Sequence, residues 1–128
     1  MADRVQSGKG VVMSYIDALD HRRYEEAVKL ISNNVRIIGP AGETFGKPVD
    51  FLDMLKRFQG RYDVKRMFAD GNEVCLLYDF VTTQGTAYMC SWYKVGEGKI
   101  EFIRTVFDPG VFTPPKATER PGPKQRND

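Results

Sequence analysis

At 128 residues the chain has the length of one domain, and 41% hydrophobic residues suffice for a buried core beside an ordinary 28% of charged ones. A net charge of +2 is too small to imply a nucleic-acid partner, and no apolar run approaches the roughly 20 residues of a membrane-spanning helix. The opening MADRVQSGKG has no apolar signal region and the two cysteines suit a reducing compartment, so a cytoplasmic location is expected.

Val5, Val12, Tyr15 and Leu19 recur at helical spacing over residues 3–19, with Ile16 beside them, and predict an amphipathic first helix. Asp20 is placed to cap a second helix whose apolar stripe is Tyr24, Ala27, Val28 and Ile31. VRII at 35–38 reads as a strand ended by GPAG, and ETF as its short return. Pro48 suits the first turn of a third helix, with Phe51, Leu52, Leu55 and Phe58 as its buried face and Gly60 as its close. Four β-rich runs follow, YDVKRMFA, EVCLLYDFVTT, TAYMCSWYKV and IEFIRTVF, parted by the glycine-containing turns DGN, QG and GEGK. Helices first and antiparallel strands last make an α+β domain over residues 1–112, with the helices on one face of a curved sheet. Residues 113–128, with four of the seven prolines and no large apolar side chain, read as a disordered polar tail.

A two-residue turn at Gln84 and Gly85 fixes a register between the second and third of these strands. One face then collects Val74, Leu76, Tyr78, Phe80 and Thr82 with Ala87, Met89, Ser91, Tyr93 and Val95. The other collects Cys75, Leu77, Asp79 and Val81 with Tyr88, Cys90, Trp92 and Lys94. The helices can cover only one of two largely apolar faces. A homodimer through Leu77, Tyr88, Cys90 and Trp92 is therefore expected. In this register Cys75 opposes Lys94 and Cys90 opposes Asp79, which speaks against an internal disulfide. The last hairpin leaves two options. A four-residue turn at 96–99 turns Ile100, Phe102, Arg104 and Val106 inward. A three-residue turn with Gly98 in a bulge turns Glu101, Ile103, Thr105 and Phe107 inward, and is favoured because it keeps Arg104 out of the interior.

Several chemistries find no residues. His21 is the one histidine and lies between two helices, so no Ser-His-Asp or Cys-His system assembles around it. One histidine and two widely spaced cysteines do not make a zinc site. GPAGETFGKP fails as a phosphate loop, with Ala41 where its first glycine belongs and Pro48 where Ser or Thr would hold magnesium. The sheet aromatics lack the interleaved Lys and Arg of a single-strand nucleic-acid binder. Neither a metal nor a diffusible cofactor is implied.

The order of elements, from the helices through VRIIGPAG to a meander ending in VFDP, resembles the nuclear transport factor 2-like superfamily over residues 3–112. Its members, among them SnoaL-like polyketide cyclases, ketosteroid isomerases and limonene epoxide hydrolases, are cone-shaped α+β barrels with a pocket at the open end. SYIDALD resembles the first helix of ketosteroid isomerases and puts Tyr15 where their oxyanion-holding tyrosine stands. Their general base, an aspartate before a proline at the end of the first strand, corresponds here to Gly39–Pro40. Their second acid falls at or near Ser91. GKIEFIRTVFD resembles the closing strand of the epoxide hydrolases and cyclases, which makes Asp108 the candidate catalytic carboxylate; Ala87, Met89 and Ser91 stand where the hydrolases need an arginine and another aspartate.

The resemblance thus implies a pocket for a small hydrophobic ligand carrying one or two oxygens. Phe58, Phe80, Met89, Ile103 and Phe107 are its expected apolar wall, with Tyr15, Tyr78 and Ser91 as hydroxyl donors and Asp108 as general acid or base. The alternative is a non-catalytic binding or assembly module whose working surface is the outer sheet face.

Overall fold

The computed structural model describes residues 7–45 and 47–112, the side chains of 44 and 45 excepted; the expected polar tail and Val5 lie outside them. Ser7 opens α1 (Gly8–Asp20) by accepting the Gly10 N–H on its Oγ at 3.1 Å. Val11, Val12, Tyr15, Ile16, Ala18 and Leu19 are buried along the helix. Each large side chain so placed contributes about 1.5–3 kcal/mol relative to exposure. Asp20 does not cap the second helix. Its Oδ1 accepts the Tyr62 N–H at 2.9 Å and so ties the end of α1 to the sheet. The second helix, α2 (Tyr24–Lys29), starts at Arg23 without a side-chain cap and stops short of Ile31. β-Branched Ile31 instead begins β1 (Ile31–Gly39), pairing with Ile100, whose N–H donates to the Leu30 carbonyl at 2.8 Å.

After β2 (Gly42–Phe45), α3 (Pro48–Phe58) has proline in its first turn and ends at Gln59, which takes the left-handed φ of 48°. Gly60 comes next, and it is needed for space: a Cβ there would lie 2.2 Å from the Phe80 ring. The strands β3 (Arg61–Asp70), β4 (Glu73–Thr82), β5 (Gly85–Gly96) and β6 (Lys99–Val106) complete one sheet in the order β2-β1-β6-β5-β4-β3. Every neighbouring pair is antiparallel except β1 with β6. Register breaks in β1, β3 and at the β5–β6 pair bend the sheet, and α1 packs in its concavity against β3, β4, β5 and β6.

Two registers differ from expectation. The β4–β5 turn is Thr83–Gln84, not Gln84–Gly85, because Thr82 Oγ1 donates to the Gly85 carbonyl at 2.9 Å and accepts the Gln84 N–H at 3.1 Å. Tyr78 therefore faces Met89, and Leu76 faces Ser91. A slip of two residues preserves which face each side chain takes. It also moves Cys75 and Cys90 together, with their sulfurs 3.5 Å apart, where the expected register kept them separate. The β5–β6 turn is neither option considered. Glu97 and Gly98 form a two-residue turn, both with positive φ (53° and 79°), the conformation that follows the twist of paired strands. An irregularity at Lys94/Val95 then leaves Glu101 exposed and turns Ile100 inward, while Ile103 and Thr105 keep their inward phase. Burying Ile100 instead of a glutamate avoids desolvating a charge.

Candidate functional site

Between α1, α3 and the concave face of the sheet lies a hollow of about 350 Å³. Side-chain alternation on the strands brings Tyr78 and Phe80 (β4), Met89 and Tyr93 (β5) and Ile103 and Thr105 (β6) to its wall. The helical repeat brings Tyr15, Ile16 and Leu19 from α1, and Phe51, Met54, Leu55 and Phe58 from α3. The end of β1 contributes Gly39, and Pro40 and Ala41 continue the wall beyond it. Phe112, in the 3-10 helix Pro109–Phe112, packs on Phe58 at 4.9 Å and on Phe107 at 5.7 Å between ring centroids, forming an aromatic collar with Phe80.

No aspartate, glutamate, histidine, lysine or arginine lines the hollow among the described residues. Its polarity comes from hydroxyls. Ser91, with no exposed surface, is the hub: its Oγ lies 3.0 Å from the Tyr78 hydroxyl and 2.9 Å from Thr105 Oγ1. Tyr93 interacts with both Tyr78 and Ser91. Tyr15 and Tyr62 differ. Both line the hollow, Tyr15 is 2% exposed, and neither hydroxyl has a hydrogen-bond partner among the described residues. A buried donor without a partner is uncommon in a folded protein and calls for an explanation.

Burial is the main reason all four phenols hold their protons to higher pH than a free tyrosine does. It drives Tyr15, Tyr62 and Tyr93 well above the ordinary tyrosine value, with neighbouring tyrosines adding to the shift in each case. It pushes Tyr78 up to about 12 against the opposing pull of its bonds to Ser91 and Tyr93. The site at neutral pH is thus a set of uncharged donors in an apolar enclosure, suited to a neutral oxygen and hostile to an unpaired carboxylate or ammonium.

Of the residues singled out from the sequence, Tyr15, Tyr78, Met89, Phe80, Phe58, Ile103 and Phe107 all reach the hollow, whereas Ser91 stands behind the wall and orients Tyr78. Asp108 is not on the wall. Phe107 turns inward, so the next side chain turns out. The exposed Asp108 carboxylate accepts the Gly110 N–H on Oδ1 at 2.9 Å and caps the turn into the 3-10 helix. Sequence reasoning missed Tyr62, although its inward phase beside Val64 on β3 signalled it, and it placed Tyr93 on the inward face without counting it among the pocket residues. Among the described residues no three His, Cys, Asp or Glu side chains gather as metal ligands. No helix among them is long and apolar enough to cross a membrane.

Residues 12–103 match the SnoaL-like domain family. Among solved structures, a nuclear transport factor 2-like protein of unknown function from Cytophaga hutchinsonii is similar at 25% identity and a TM-score of 0.79, over 89% of this chain and 100% of that one. A candidate ketosteroid isomerase from Kribbella flavida is 20% identical with a TM-score of 0.72, over 90% and 82%. An epoxide hydrolase from M. tuberculosis of the limonene epoxide hydrolase type is 18% identical with a TM-score of 0.67, over 81% and 84%. Comparison with curated proteins yields no match.

Proposed function

Because this chain belongs to the SnoaL-like domain family, and because its hollow joins an apolar wall to unpaired phenols, we propose that it binds a small, uncharged hydrophobic molecule bearing one or two oxygens. The observation that carries this reading is a pair of hydroxyls on the wall of one hollow, those of buried Tyr15 and half-buried Tyr62, left without protein partners among the described residues. A ligand carbonyl or hydroxyl would satisfy them, and the surrounding rings and aliphatic side chains would take up its carbon skeleton. The volume lies toward the lower end of the roughly 300–1,000 Å³ range of small-molecule sites. Any catalysis in this reading is polarisation of that oxygen by Tyr15, with Tyr78 held in place by Ser91. No proton is routed through Asp108, whose carboxylate lies outside the wall and is engaged by Gly110. The kinship with proteins named for isomerase and epoxide-hydrolase chemistry supports a ligand of this kind without fixing the reaction.

The test is a paired screen: flat, neutral ketones and alcohols against their carboxylate analogues, read by thermal shift and calorimetry, beside native mass spectrometry of gently purified protein. Binding of neutral compounds, weakened by Tyr15→Phe, supports the proposal. Equal or preferential binding of the carboxylates overturns it.

A second reading concerns the outer sheet face. Tyr88 is 78% exposed and Leu77 37% exposed on the side away from the hollow, with Phe68 and Val106 also exposed there. Together they make an apolar surface that a second copy of the chain would cover. Light scattering on the natural chain and on Tyr88→Lys decides it: a dimer lost in the variant supports the homodimer, and a monomer in both removes it.

A further inference from the structure

We infer that Cys75 and Cys90 form a redox modification site, a dithiol on the outer sheet face that a peroxide converts to a disulfide within one chain. They sit on adjacent strands, Cys75 opposite Trp92 and Cys90 opposite Leu77, and so face each other along a diagonal. Right-handed twist shortens one diagonal of an antiparallel pair. Here it brings the sulfurs to 3.5 Å, against a disulfide bond length of about 2.05 Å. Both thiols are free and half-buried. Apolar Phe68 lies opposite Cys75 on β3 and Val106 opposite Cys90 on β6, so little but the partner thiol is at hand to intercept an oxidised sulfur. Neither cysteine lines the hollow, and the inference is independent of what the hollow binds.

The chemistry balances with a hydroperoxide as oxidant. One sulfur, as thiolate, attacks the peroxide O–O bond, which breaks; an S–O bond forms and the other oxygen leaves as water, or as an alcohol from an organic peroxide. The second sulfur attacks the resulting sulfenic acid, the S–O bond breaks, the S–S bond forms, and water departs carrying the second thiol proton. The dithiol loses two electrons and two protons, and the peroxide is reduced. Burial, reinforced by the neighbouring Cys75, raises Cys90 above the ordinary thiol value, which lowers its thiolate fraction and slows its oxidation.

The purified full chain, reduced and freed of reductant, is titrated with hydrogen peroxide and followed by intact mass, thiol titration and peptide mapping without reductant. The expected result is an intact mass lower by two hydrogens, a thiol titre falling from two per chain to none, and a Cys75–Cys90 cross-link, all reversed by dithiothreitol. Cys75→Ser, which leaves one thiol on the same face, should lose no hydrogens and either stay reduced or gain oxygen at Cys90. Disulfides between chains, addition of oxygen to the natural chain without a cross-link, or a thiol titre that does not fall would each overturn the inference.

Discussion

Replacing Tyr15 by phenylalanine separates a ligand-facing hydroxyl from an ordinary structural one, because the two roles give opposite signs. The hydroxyl is buried and without a protein partner among the described residues, so the free protein bears its desolvation with no compensating bond. An unsatisfied buried polar group costs about 1–3 kcal/mol, and water entering the hollow offsets part of that. Tyr15→Phe should therefore stabilise the unliganded chain by about 1 kcal/mol, or roughly 3–5 °C in Tm for a protein of this size. Tyr78→Phe is the control. It removes the 3.0 Å contact to Ser91 Oγ and the bond to Tyr93, leaves Ser91 with Thr105 and Tyr93, and should destabilise by about 1 kcal/mol. Calorimetric or circular-dichroism melts of the three proteins without ligand read both effects. With a neutral ligand, Tyr15→Phe should bind roughly three- to tenfold more weakly, the worth of one hydrogen bond. If Tyr15→Phe instead lowers Tm as far as Tyr78→Phe does, its hydroxyl already has a partner in the free protein and the reasoning fails.

Other outcomes follow from the same geometry. Asp108→Asn retains an oxygen to accept the Gly110 N–H, so stability and ligand binding should both stay within about 0.5 kcal/mol; a tenfold loss of binding would return the acid to the site. Gly60→Ala should destabilise by about 1–3 kcal/mol, since its Cβ would stand 2.2 Å from the Phe80 ring, and an unchanged Tm would mean that the ring moves aside freely. At alkaline pH the buried phenols, Tyr78 near 12 and Tyr15, Tyr62 and Tyr93 also well raised, bind protons that the unfolded chain has released. Stability is therefore intact below the unfolded tyrosine value of about 10 and falls as pH climbs through the folded values. Phenolate absorbance from these four should appear together with loss of the sheet signal, and their full ionisation in an intact sheet would contradict the burial argument. Gly39→Asp puts a carboxylate beside Pro40 on the hollow's wall, where an added Cβ meets nothing within 4 Å. It should give slow isomerisation of a β,γ-unsaturated ketone that the natural chain leaves unchanged; no conversion of a ketone shown to bind would count against Gly39 as the place of a missing base.

The sequence was legible wherever one physical rule acted alone. Period 2 on the strands separated Tyr78, Phe80 and Met89 from Leu77, Tyr88 and Trp92, and this separation survived a two-residue error in register because parity is blind to even shifts. The helical repeat marked Tyr15 and Phe58 as inward, and the order of elements implied the α+β cone. What failed was decided by competition between local bonds and tertiary contacts. Asp20 looks like a helix cap, but the Tyr62 N–H at the start of β3 takes its carboxylate. GEGK permits several hairpins, and the chosen one is set farther along, where Ile100 rather than Glu101 turns inward. Asp108 followed from a resemblance between closing strands, yet alternation from Phe107 already turned it outward, and a carboxylate before Pro-Gly is a ready turn cap. That two phenols lack partners among the described residues could not be read at all, because whether a hydroxyl has a partner depends on distances that only the folded chain sets.

The hollow is a burden that a sequence optimised for stability alone would not carry. At about 24 cal/mol per Å³, an empty, sealed apolar cavity of about 350 Å³ would cost about 8 kcal/mol, comparable with the whole stability of about 5–15 kcal/mol typical of a domain. Its mouth is open, so the real cost is smaller, but its sign is the same. Filling it from within would be easy: Gly39 and Ala41 stand on the wall, and a Cβ at Gly39 would meet nothing. An ordinary packing fault produces a dry void, and an ordinary polar fault strands a hydroxyl somewhere in the core. Here the void and two stranded hydroxyls coincide, in a space lined by no charged side chain among the described residues. A single neutral molecule with an apolar body and an accepting oxygen removes both faults at once, whereas water supplies hydrogen bonds without apolar contact and a packed side chain such as leucine supplies contact without an acceptor.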